Sequence, residues 1–158
     1  MNKNGIYIEI NSIATTPLIF KNANLYFNIE ESDSWKLIKS KSLASYEKTV
    51  LKIENLNTAK TYYILLKNSN MSFDGKKATF NTFSKIKLFI KADKSTTKNK
   101  YKSELKQINQ EISHLNALQN IGLKLSEVAL LNNLKNEEYE LKMKSNLSLI
   151  EYEGEFNE

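Results

Sequence analysis

Leu51-Lys52-Ile53-Glu54-Asn55-Leu56-Asn57-Thr58-Ala59-Lys60-Thr61-Tyr62-Tyr63-Ile64-Leu65-Leu66 alternates apolar with polar side chains, breaks at a polar connection, and then turns apolar again. That pattern predicts strand, tight corner, strand. Leu56 stands at the corner, and Tyr62 follows six residues later. In a two-sheet antiparallel sandwich a tyrosine just past such a corner tucks its ring into the core and donates its hydroxyl back to the connection. Leu56 and Tyr62 are therefore the expected structural corner. They specify a scaffold and name neither a ligand nor a reaction.

Working outward, period-two signals fill residues 1–92: Ile6, Ile8 and Ile10; Leu18 to Phe20; Leu25, Phe27 and Ile29; Trp35 and Leu37; Phe80 with Thr82; Ile86, Leu88 and Ile90. Turn-forming residues separate them at Asn22-Ala23-Asn24, Glu31-Ser32-Asp33-Ser34 and Phe73-Asp74-Gly75. Short strands at this spacing mean a sandwich or barrel rather than an alternating α/β fold. Pro17, the only proline, falls at an early strand boundary where a missing N–H is tolerated.

The segment from Leu51 to Phe83 resembles a fibronectin type III domain. Ile53 and Leu51 precede Leu56 by three and five places, Tyr62 follows it, Asn68, Asn70 and Gly75 supply a turn, and Phe80, Thr82 and Phe83 stand near the end of a last strand. Thr58 and Ala59 replace the family's usual proline and glycine, and Trp35 lies in the expected strand C rather than B. The resemblance covers about residues 5–92 and implies an immunoglobulin-like antiparallel sandwich. It implies no function, because one sandwich hosts many.

After residue 92 the apolar period changes. Tyr101, Leu105, Ile108, Ile112 and Leu115 follow a 4-3-4-3 spacing that predicts one helical stripe, the expected helix interface. Ser95, Thr96 or Thr97 could cap its start, and Gly122 suits a left-handed terminator. A second helix is expected from Leu125 or Ser126 through Leu141, folding back as a helical hairpin. Beyond it Leu147, Leu149 and Tyr152 read as a strand-like tail, placed either at the sheet edge or on a neighbouring chain as a candidate assembly element. The expected domains are 1–92, the sandwich, and 93–158, the hairpin with its tail.

Chemistry is sparse. All 23 basic residues are lysine, and cysteine is absent. Without arginine there is no bidentate fork for guanine edges, which argues against sequence-specific nucleic-acid reading. Without cysteine there is neither a disulfide framework nor a thiolate site. His114 is the single histidine, the four glycines are isolated, and no serine sits in a Gly-x-Ser-x-Gly turn. No catalytic residue, cofactor or metal is expected. No apolar run approaches the roughly 20 residues of a membrane helix, and export through a cleaved leader is not expected.

Charge is uneven. Residues 84–106 carry a net of +6, and residues 136–158 a net of −5. Opposed segments either neutralise each other within a chain or orient a head-to-tail contact between copies. The combined reading is a non-catalytic structural or assembly protein, partnered by other structural proteins or further copies, with no membrane. Its architecture looks similar to capsid-decoration, neck or tail components of tailed bacteriophages, which implies a virion location. The alternative is a bacterial cell-surface adhesion module for glycan or protein.

Overall fold

The structure is a computed structural model and describes residues 4–156. The ends of the expected domain spans, residues 1–3 and 157–158, lie outside the described residues. The chain divides into two compact units. One holds the residues up to Ile90 together with those from Glu151 onward, and the other is Lys91–Ile150.

The first unit is a closed five-stranded barrel with extra strands, which overturns the expected open sandwich. Its ring comprises β1 (Ile6–Ser12), β2 (Leu18–Ile29), β4 (Ser42–Asn55), β5 (Thr61–Phe73) and β6 (Lys77–Thr82), with β3 (Ser34–Leu37) pairing the far half of β2. Neighbours pair antiparallel around the ring except for β1 with β6, which is parallel. Five strands that alternate up and down cannot close without one parallel pair. β7 (Phe89–Lys91) pairs β5 at Tyr63, and β8 (Leu149–Glu151) lies beside β7.

The physical reason for closure is strand length. β2, β4 and β5 run 12, 14 and 13 residues, against about 5–6 for an ordinary strand. Long strands coil and share partners along their length. β2 pairs β1 with its first half and β4 with its second, and Ala23 is opposed by Ile6 on one side and Asn55 on the other. The expected turn at Asn22-Ala23-Asn24 is a bulge within that strand, because the three residues Ile6 to Ile8 of β1 face the four residues Phe20 to Ala23 of β2. Asn22 supports it, accepting from the Gly5 N–H at 2.8 Å and donating to Asn57 at 3.2 Å. Likewise Asn68 and Asn70 make no turn. β5 continues through both, with Asn68 at φ 45° where the inward set changes from Tyr62, Ile64 and Leu66 to Met71 and Phe73.

The expected corner is a hairpin. β4 and β5 are direct neighbours, with Ile53 opposite Tyr62, so the connection does not cross between two sheets. Asn55 organises it. Its side-chain oxygen accepts from the N–H groups of Asn57 (2.9 Å) and Thr58 (3.2 Å), and its own N–H reaches the Lys60 carbonyl at 2.9 Å. Leu56 is half-buried, whereas Tyr62 packs into the barrel core beside Phe20 at 5.8 Å.

The second unit is a helical hairpin of α1 (Lys94–Leu118) and α2 (Leu125–Asn146). Asp93 occupies the α1 N-cap without a side-chain bond, and Ser95, Thr96 and Thr97 lie inside the helix, so none of the three is its cap. Thr97 is buried and turns its hydroxyl back to the carbonyls of Asp93 and Lys94. The connection carries Gly122 at φ 104°, a conformation glycine adopts without steric cost.

Candidate binding surfaces

The hairpin core contains Ile112, Leu115, Leu131 and Leu134, with Ile108 and Leu123 packed against it. The predicted stripe therefore divides. Ile108, Ile112 and Leu115 face α2, while Tyr101 is buried and donates its hydroxyl to the Leu149 carbonyl at 2.8 Å. Leu105, half-buried, lines a groove of about 740 Å³ instead. Along that groove run Lys98, Lys102 and Lys106, followed by Gln110 and Ser113, with Ser145 of α2 on the other wall. Four-residue spacing keeps the three lysines on one helix face.

Those lysines form no ion pair among the described residues, and no carboxylate lines the groove. The acidic segment is different. Glu138 holds Lys142 at 2.7 Å, Glu140 lies 3.8 Å from Lys144, and Glu151 holds Lys87 at 3.0 Å, all within the chain. Glu158, counted in that segment, lies outside the described residues.

At the turn of the hairpin three apolar side chains are exposed. Ile121 is 84% exposed, Leu125 is 87% exposed and Val128, one turn further along α2, is 39% exposed. Fully burying a side chain of this size is worth about 1.5–3 kcal/mol. His114 is exposed on α1.

A polar and aromatic cluster lies on the barrel. Glu54 accepts from the Tyr26 hydroxyl (2.8 Å) and Asn24 (3.3 Å) and pairs with Lys52 (3.0 Å). Burial pushes the Glu54 carboxyl up, but those three donors outweigh it and hold the group below the usual range. The Lys52 ammonium sits 4.2 Å from the centre of the Tyr26 ring and 5.9 Å from that of Trp35. Trp35 is half-buried, 5.5 Å from Tyr63, with its indole N–H on Asp33 at 2.7 Å, so its ring does not stand clear as a flat platform.

Burial pushes the Tyr63 phenol up to about 12, helped by the negative charges of Asp33 and Glu54. The unfolded chain ionises near 10. Barrel stability is therefore expected to be complete below pH 10 and to fall as pH climbs from 10 toward 12. Tyr63→Phe should flatten that part of the profile, as read by urea denaturation across pH. An unchanged slope would show that Tyr63 does not carry it.

The candidate tail divides between the units. Leu147 and Leu149 are buried at the end of the helical unit, while Tyr152 packs on Tyr62 of the barrel at 5.4 Å. The Tyr152 N–H donates to the Leu88 carbonyl at 2.8 Å. Sequence reasoning missed Phe156 as a core residue, although it meets Phe20 at 4.9 Å and Tyr62 at 5.7 Å. The aromatic pair Tyr152 and Phe156 amid glutamates was the available signal. No group of three or more potential metal-ligating side chains converges among the described residues, and no helix there is long and apolar enough to cross a membrane.

Known proteins match both units. A family profile described as the UU051 N-terminal domain matches residues 7–87. Another, described as the uncharacterised protein UU051 C-terminal domain, matches residues 102–152. A relative from Ureaplasma parvum serovar 3, uncharacterized protein UU051, is 35% identical over 120 residues, covering 73% of this chain and 70% of its own length. With the barrel and the hairpin both matched, this chain belongs to the UU051 family.

Proposed function

We propose that the chain is a non-catalytic structural protein that works by association, the barrel serving as scaffold and the hairpin turn as the contact made with a second copy. The observation that carries this reading is the exposed apolar surface at Ile121, Leu125 and Val128. The three lie close together in the chain at one end of the hairpin, and a contiguous exposed apolar patch marks a docking surface. A second copy suits it because burying a shared patch on both partners is the usual way a symmetric dimer forms. A closed barrel does not carry the likeness to virion components that an immunoglobulin-like sandwich implies.

Sedimentation velocity tests it. Wild-type protein should self-associate, and the double variant Ile121→Ser/Leu125→Ser should raise the dissociation constant at least ten-fold, about 1.4 kcal/mol, with an unchanged helical circular dichroism signal. Wild type that stays monomeric at high concentration, or a variant that associates as well as wild type, would sink the reading.

A further inference from the structure

Lysines are spread over the whole chain, but Lys98, Lys102 and Lys106 are set apart by three observations taken together. They line one groove, they lack a carboxylate partner among the described residues, and they are spaced by four residues along α1. At 1.5 Å per residue the ammonium-bearing side chains leave the helix about 6 Å apart. This makes a row of single positive charges, continued along the same groove by the neutral hydrogen-bonding side chains of Gln110 and Ser113.

We propose that this groove binds the phosphate backbone of a single-stranded nucleic acid without regard to sequence. A repeated anion is what a repeated cation recognises, and a positively charged groove that tracks the backbone is the general form of such sites. The three lysines lie in a single row along α1 and not in a broad patch, which suits a linear polyanion better than a bilayer surface. Specificity for bases is excluded by the same composition. The groove has no aromatic side chain to stack on a base, and the chain has no arginine to fork onto a base edge. Binding is therefore electrostatic and weak. Three phosphate contacts give a slope of log K against log salt of about −2, so affinity falls roughly twenty-fold between 50 and 200 mM salt.

The site is separate from the hairpin turn, so this inference stands or falls independently of self-association. The test is fluorescence anisotropy of a labelled oligothymidylate titrated with full-length protein at several salt concentrations. Lys98→Gln/Lys102→Gln/Lys106→Gln is compared with the barrel triple variant Lys36→Gln/Lys39→Gln/Lys76→Gln, which removes the same net charge from exposed positions. Circular dichroism confirms that both are folded.

Wild type should show the slope of about −2. The α1 variant should lose more than ten-fold in affinity and most of the slope, while the barrel variant stays within two-fold. Equal losses in the two variants would reduce the effect to net charge and overturn the site. So would an α1 variant that binds like wild type, or binding to phosphatidylserine vesicles or polyglutamate with none to oligothymidylate.

Discussion

Ending the chain at Ile150 is expected to cost the barrel about 3–5 kcal/mol, the range for removing a large buried aromatic side chain. Two half-buried rings leave together. Tyr152 abandons its edge contact with Tyr62, and Phe156 its contacts with Phe20 and Tyr62. The Tyr152 N–H bond to Leu88 and the Lys87–Glu151 pair go with them, though the exposed pair contributes little. Urea denaturation followed by fluorescence of Trp35, the single tryptophan, reads the loss. The full-length variant Tyr152→Ala/Phe156→Ala should reproduce most of it. Truncated protein as stable as wild type would show that these rings do not seal the core.

Phe80→Ala should cost a similar 3–5 kcal/mol, and Phe83→Ala under about 0.5 kcal/mol. Phe80 is fully buried on β6, opposite Ile10 across the parallel seam and Met71 across the antiparallel one. Its removal leaves a cavity where the ring of strands closes. Phe83, three residues later, is 72% exposed. Equal stabilities of the two variants by chemical denaturation would therefore contradict the burial of Phe80 between β1 and β5.

Much of the inward-facing set is legible in the sequence. Ile8 with Ile10, Leu51 with Ile53, and Tyr62 with Ile64 alternate as strands do and form the barrel core. The number of strands is not legible, because asparagine serves turns and bulges by the same means. It tolerates φ above zero and bonds to nearby backbone. Asn22 and Asn68 thus look like breaks and are kinks inside long strands. Without those false breaks β2 and β5 are long enough to change partners, and strands that change partners close a barrel.

The groove was equally hidden. Lys98, Lys102 and Lys106 are plain in the sequence, but which lysines hold a carboxylate depends on the fold. Lys142, Lys144 and Lys87 do; the three in the groove do not. Leu105 belongs to the same heptad-like stripe as Ile112, yet only Ile112 enters the hairpin core, since spacing defines a face and not what covers it.

The chain leaves the barrel unit after Ile90, builds two helices, and returns at Glu151 with the rings that cover Phe20. This insertion sets an order on synthesis. A chain emerging from the ribosome can pair β1 through β6 early, but Tyr152 and Phe156 become available only after the whole hairpin has been made. Contacts between distant parts of a chain form slowly because their ends must first be brought together. Until Tyr152 and Phe156 have been made, Phe20 and Tyr62 therefore lack the two rings that cover them, and nascent chains stalled before Tyr152 carry the longest-lived aggregation-prone surface.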